Sequence, residues 1–139
     1  MNKIIGLDLG SKTCGVALSD ALGIIASPVE TLRFEEDDYD KAAEMVCALI
    51  DRNRVKDVVL GLPKHMNGDI GIRGEISIAF KEKLEALRDV KVVLWDERLT
   101  TVTAQRSMIA SNMNRQKRKK MVDTMAAVII LQSYLDSRK

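Results

Sequence analysis

The chain has 139 residues, of which 46% are hydrophobic and 30% charged, and its 22 basic and 20 acidic side chains give a net charge of +2. These values are typical of a soluble globular protein, and the length predicts one domain over residues 1–139. No apolar run reaches the ~20 residues of a membrane span. Asp8 interrupts the first apolar stretch, so no secretory signal is predicted and we expect a cytoplasmic protein.

The first part of the chain predicts three strands followed by a helix. Residues 3–9 and 14–19 are typical of strands joined by a polar turn. Residues 24–32 predict a third strand, in which Pro28 indicates an edge or an irregularity. Residues 39–53 place apolar side chains at helical spacing and therefore predict an amphipathic helix. An acidic run at its start is typical of a helix N-terminus, where negative charge complements the dipole.

The second part of the chain alternates strands and helices. Strands are predicted at residues 56–61 and 90–95, and helices at residues 74–88, 100–111 and 118–137. Opening strands joined by tight turns favour antiparallel pairing, whereas strands separated by helices favour parallel crossovers. The sequence therefore predicts an α/β fold with a five-stranded mixed sheet and helices on both faces.

Acidic side chains stand at three places where burial makes a charge costly. Asp8 interrupts an apolar strand, and Asp123 shares a helical face with small and apolar residues. Asp96 and Glu97 follow the strand at residues 90–95, at the end where open α/β sheets bind ligands. Successive strand residues face opposite ways, so only one of these two can join Asp8, and the strand pattern does not choose between them. The structural alternatives are an exposed strand-end acid and an acid that complements a helix dipole.

Acids that converge on one point repel each other unless a cation is present. Ligands that are all oxygen atoms suit Mg²⁺ or Mn²⁺, and two such ions can clamp the attacking and leaving oxygens of a phosphodiester. This chemistry needs no histidine, and we interpret His65 as a solvated loop residue. Cys14 and Cys47 are interpreted as small buried hydrophobic residues, since the chain has too few cysteines and histidines for a zinc site.

Four motifs in order along the chain resemble a known family. They are IGLDLGSKTCGVALSD, GLPKHMNG, WDERLTT and RQKRKKMVDTMAAVIILQSYL. Together they resemble the bacterial YqgF/RuvX family, described as Holliday-junction resolvases or as nucleases that process the precursor of 16S ribosomal RNA. The resemblance covers nearly the whole chain and implies a ribonuclease-H-like fold. Residues 65–72 depart from the family pattern. The difference affects the substrate contacts that the resemblance implies for this loop.

The resemblance also implies an active site. It maps an acidic triad onto Asp8, Glu97 and Asp123, and it is the resemblance that selects Glu97 over Asp96. It implies hydrolysis of a phosphodiester with Mg²⁺ or Mn²⁺, which leaves a 5′-phosphate and a 3′-hydroxyl.

Cationic and hydroxyl side chains near these motifs are predicted to hold the substrate. They are Lys64, Arg98, Thr101, Arg115, Lys117 and Arg118. The last three belong to a basic run beside the anionic centre, where a polyanion needs positive charge for capture. The alternatives are solvated surface charges and, for the threonine, a helix cap. Aromatic content of 4% argues against base stacking and favours readout of backbone and shape.

Several functions compete for this pattern. A structured ribosomal RNA precursor is favoured over a DNA junction, because resolving a junction needs a symmetric dimer and no dimer face is evident. We therefore expect a monomer or a weak homodimer without a membrane partner. A non-catalytic nucleic-acid-binding module is an alternative. The motif DLGSKTCGVAL also resembles the first phosphate loop of the actin and sugar-kinase superfamily, but 139 residues leave no room for its second lobe.

Overall fold

The computed structural model of the protein describes residues 2–64, 69–97 and 115–138, and for residues 115–123 it describes the helix but not the side chains. Its elements in chain order are β1 (Ile4–Leu9), β2 (Thr13–Ser19), β3 (Ala26–Arg33), α1 (Tyr39–Asn53), β4 (Asp57–Leu62), α2 (Ile72–Leu87), β5 (Lys91–Asp96) and α3 (Arg115–Ser137). All strands and helices predicted within these ranges are present, with ends that differ by a few residues. The helix predicted over residues 100–111 lies outside the described residues.

The five strands form one mixed sheet in the order β3-β2-β1-β4-β5. The first three strands pair antiparallel, and β4 and β5 run parallel to β1. Parallel pairing places Leu7 beside Leu60, and Leu62 beside Asp96. The carboxyl ends of β1, β4 and β5 therefore meet at one edge of the sheet. This arrangement confirms the predicted mixed sheet.

The outer strand β3 forms one border of this sheet. Pro28 lies in β3 opposite Ala17, next to an irregularity in the register at Val16 and Ala17. A proline has no N–H to donate to a neighbouring strand, so it is tolerated at such a position. The prediction that Pro28 marks an edge or an irregularity is confirmed on both counts.

Helices α1 and α2 cover one face of the sheet. The helix α1 begins at the predicted acidic run, because the Asp38 side chain accepts a hydrogen bond from the Lys41 N–H and caps the first turn. It ends at Arg54, whose left-handed backbone closes the last turn. The buried side chains of this layer include both cysteines, which confirms their interpretation as core residues.

Helix α3 covers the opposite face, on which its apolar side chains pack against Ile4, Ala17 and Val59. The helix approaches β1 closely because residue 6 is glycine: a Cβ added there would lie 2.6 Å from the Cβ of Leu131. Thr124 shares a 2.5 Å hydrogen bond with Thr31 of β3. Helices on both faces, as predicted, are confirmed. Within the described part of the chain, none of the helices is long and apolar enough to cross a membrane.

Candidate active site

Asp8 lies at the carboxyl end of β1, on the face that α3 covers. Side chains alternate along a strand, so Asp8 shares its face with Ile4 and Gly6, which both meet α3. Across the sheet its partner on β2 is Gly15, which has no side chain to fill the space. Asp8 is half-buried. The strand therefore presents this carboxylate at the sheet edge, with room beside it for another group.

Glu97 follows β5 directly and hydrogen-bonds to Asp8. It lies against the backbone of Gly61 in β4, so closely that a Cβ added to Gly61 would overlap the Glu97 carboxylate and lie 2.7 Å from Cδ1 of Ile130. Asp96 instead forms an ion pair with Lys64 at 3.9 Å. The strand pattern left open which acid would join Asp8, and the structure brings Glu97 to it.

The two carboxyl groups cannot easily be charged at the same time. Burial, the charge of Asp8 and the hydrogen bond between the two groups together raise the pKa of Glu97 from its ordinary 4.5 to about 8. The positive charge of Arg73 acts against these effects. At neutral pH the pair therefore retains one proton.

This donor set fits a hard divalent cation. Two carboxyl groups in contact offer oxygen ligands only, and a cation between them would relieve the repulsion that now keeps one of them protonated. Among the side chains that the structure describes, no group of three or more Asp, Glu, His or Cys residues could hold a metal. Asp123 stands in α3 four residues before the buried Ala127, and its side chain is outside the description. The third acid of the triad stays a prediction.

The other predicted substrate contacts are described only in part. Lys64 lies just beyond β4, about three-quarters buried, with its charge directed to Asp96. Arg98, Thr101 and the loop residue His65 lie outside the described residues. Arg115, Lys117 and Arg118 occupy the first turns of α3, where the backbone alone is described. Their roles in binding stay predictions.

Sequence reasoning missed Arg73. This exposed residue of α2 donates one hydrogen bond to the Leu9 carbonyl at the end of β1, at 3.2 Å, and another to the Tyr39 hydroxyl, at 3.4 Å. Beside it is a cavity of about 570 Å³ lined by Pro63, Lys64 and residues 71–74. An arginine in the first turn of a helix carries no sequence signal that separates it from a solvated surface charge. Its position becomes visible only when β1 and α2 are brought together.

The shared proton predicts how stability changes with pH. The folded pKa of Glu97, about 8, is above its unfolded value near 4.5, so ionising Glu97 destabilises the fold. The penalty is absent below pH 4.5, grows between 4.5 and 8, and is complete above 8. Glu97→Gln mimics the protonated acid. In chelator we therefore expect the variant and the unaltered protein to melt at nearly the same temperature at pH 5. At pH 9 the free energy of unfolding of the variant should be higher by on the order of a few kcal/mol.

Glu85 provides a control of opposite sign. A hydrogen bond from the Val92 N–H and another from Lys81 hold the pKa of Glu85 below its ordinary value. Its charged form therefore stabilises the fold above its unfolded pKa, and that contribution is lost as the pH falls through the folded pKa. Glu85→Gln should lose stability at pH 7 and 9. A melting difference for Glu97→Gln that stays constant from pH 5 to pH 9 would contradict the shared proton.

Comparison with known proteins gives the chain a family context. Residues 2–137 match a family model described as RuvX: Holliday junction resolvase. The chain is 53% identical over 137 residues to a Staphylococcus haemolyticus protein named "Putative pre-16S rRNA nuclease". The match covers 98% of this chain and 96% of the relative. A Staphylococcus aureus protein of the same name is 49% identical over the same span, with the same coverage of both chains.

Solved structures of low sequence identity share the fold. The Thermus thermophilus RuvC protein in complex with a Holliday junction substrate superposes with a TM-score of 0.62 at 12% identity, and the match covers 99% of this chain and 96% of that one. The Fowlpox virus resolvase in complex with Holliday junction DNA gives a TM-score of 0.60 at 16% identity, with 98% of both chains covered. These similarities confirm the predicted ribonuclease-H-like fold.

Proposed function

Because this chain belongs to the RuvX family and is a phosphodiester-hydrolysing enzyme, we propose that it is a metal-dependent endonuclease that processes the precursor of 16S ribosomal RNA. The observation that carries the proposal is the contact between the Asp8 and Glu97 carboxyl groups at the carboxyl edge of the sheet. Holding two half-buried acids together costs folding free energy, which is typical of a site built for a cation. The ribosomal substrate is the one that the names of the curated relatives give.

The acids at this edge of the sheet would form the proposed metal site. Asp8, Glu97 and Asp123 would hold Mg²⁺ or Mn²⁺. Such ions supply Lewis-acid stabilisation of the charge that develops on the phosphate oxygens. Glu97 would hold the cation in its ionised form, so the loss of its proton to solvent would favour binding. Metal affinity should therefore increase as the pH rises towards 8.

Two glycines leave space around the carboxyl groups of Asp8 and Glu97. Gly15 lies next to Asp8 on one side, and Gly61 lies under the Glu97 carboxylate on the other. A larger side chain at either position would fill the space in which carboxylates and substrate must meet. The predicted contacts Lys64, Arg98, Thr101, Arg115, Lys117 and Arg118 would then hold the nucleic-acid backbone around the acids.

A cleavage assay with two matched substrates tests this function. Purified protein is incubated with an RNA that spans the mature ends of 16S ribosomal RNA and, separately, with a four-way DNA junction, each with Mn²⁺ and with chelator. We expect cleavage of the RNA with Mn²⁺ and none in chelator. Cleavage of the RNA that continues in chelator would contradict metal dependence. Cleavage of neither substrate, with the protein folded and at high concentration, would contradict an endonuclease that acts alone.

The junction is the second candidate substrate, since the matching family is described as a Holliday junction resolvase. Resolution requires two cuts related by symmetry, so it would come with a dimer. Light scattering on the same sample distinguishes the two cases. Symmetric nicking by a dimer, with the RNA left intact, would replace the ribosomal substrate with DNA.

A further inference from the structure

Arg73 brings a guanidinium group to the edge of the sheet where the acids lie. Its Nη2 donates to the carbonyl oxygen of Leu9, the residue after Asp8, and its Nη1 donates to the hydroxyl of Tyr39 in α1. These two contacts fix the plane of the guanidinium between α1, α2 and the end of β1. The position of this charge is therefore set by the fold, although the residue itself is exposed.

Two of the five N–H groups of Arg73 are used in these contacts. The side chain is exposed and borders the cavity of about 570 Å³ that Lys64 also lines. A guanidinium can bind two oxygens of one phosphate with parallel hydrogen bonds. Lys64 forms an ion pair with Asp96, whereas both described hydrogen bonds of Arg73 are to neutral groups. The hydrogen bonds of Arg73 therefore do not neutralise its positive charge, which acts on the nearby Glu97 carboxylate and on any ligand that approaches it.

A positively charged side chain beside Asp8 and Glu97 has an electrostatic role in substrate binding. The negative charge carried by the Asp8–Glu97 pair repels a phosphodiester backbone, and a positive side chain next to the pair reduces that repulsion while the substrate approaches. Arg73 is close enough to Glu97 to act on its carboxylate. We infer that Arg73 binds a backbone phosphate of the substrate next to the Asp8–Glu97 pair and so positions the strand for cleavage. This inference rests on the proposed function, since it takes a phosphodiester as the substrate.

The competing explanation is structural: Arg73 would only tie α2 to β1 and α1. The two explanations differ in what the charge does. A phosphate contact releases counterions from the nucleic acid, so it changes the salt dependence of binding, whereas a structural tie changes thermal stability. Arg73→Gln removes the charge, and Arg73→Lys keeps it without the fork that reaches both Leu9 and Tyr39.

The test measures the dissociation constant of a labelled RNA hairpin against NaCl concentration, in chelator. For Arg73→Gln we expect a slope of log K against log salt that is smaller by roughly 0.7–0.9, and binding at low salt weaker by about tenfold. Arg73→Lys should keep the slope of the unaltered protein. Arg52→Gln is the matched control, because it removes an exposed arginine from the last turn of α1. Tyr39→Phe removes a partner of Arg73 without changing charge and should also keep the slope.

Two results would overturn the inference. One is an unchanged slope in Arg73→Gln together with a lower melting temperature in both Arg73 variants. The other is an equal loss of slope in Arg73→Gln and Arg52→Gln, which would show a general effect of net charge. Because binding is measured in chelator, it is independent of hydrolysis. Failure of the unaltered protein to cut RNA with Mn²⁺ would reject the proposed function, and the slopes would still report whether Arg73 contacts a phosphate.

Discussion

Asp8→Asn is expected to lower the rate of phosphodiester cleavage by roughly 10³-fold while the protein stays folded. Asparagine has the size of aspartate, so the strand and its pairing with Gly15 are kept. The substitution removes a negative charge that the proposed cation needs. It also removes the charge that disfavours ionisation of Glu97, so the pKa of Glu97 should fall from about 8. Single-turnover cleavage with saturating Mn²⁺ measures the first effect, and melting against pH in chelator measures the second.

Asp89→Asn is the matched control for Asp8→Asn. Asp89 is exposed and follows α2, close to the start of β5 and therefore at the opposite end of the parallel strands. The change in charge is the same, so cleavage within a factor of two of the unaltered protein is expected. Two findings would count against the site: Asp8→Asn cutting at a tenth of the normal rate or faster, or Asp89→Asn losing activity to the same extent.

Much of this architecture could be predicted because it depends on local patterns. The helix over residues 39–53 follows from apolar spacing and an acidic cap, and the structure places it at Tyr39–Asn53. Asp8 was identified because a charge inside an apolar strand is costly unless it has a function. The resemblance to a family selected Glu97, and the contact with Asp8 agrees with that choice.

What could not be predicted depends on contacts between distant segments. Arg73 is 64 residues from Leu9 in the chain, and its hydrogen bond to that carbonyl exists only after β1 and α2 meet. The ion pair between Lys64 and Asp96 likewise depends on the neighbouring carboxyl ends of β4 and β5. Gly61 looked like an ordinary strand residue, because sequence cannot show that the carboxylate of Glu97, which follows β5, occupies the place that a Cβ of residue 61 would take. These positions determine the electrostatics of the site.

Gly61→Ala is expected to reduce cleavage by roughly 10²-fold, which is the cost typical of a reacting group displaced by about 1 Å. The added methyl group would overlap the Glu97 carboxylate and lie 2.7 Å from Cδ1 of Ile130. Glu97 would have to leave its place and lose its hydrogen bond to Asp8. Crowding against Ile130 would also lower the free energy of unfolding by about 1–3 kcal/mol. Cleavage rates and urea unfolding of the same sample separate the two effects.

Ile130→Val in the Gly61→Ala background shows which neighbour matters. Valine lacks Cδ1, so the double variant should regain most of the lost free energy of unfolding. The methyl group would still displace the Glu97 carboxylate, and cleavage should therefore stay low. Ile130→Val alone provides the control and should cut at the normal rate. If the double variant regained full cleavage together with stability, the position of Glu97 over Gly61 would not matter for the reaction, and packing of α3 against β4 would explain the whole effect.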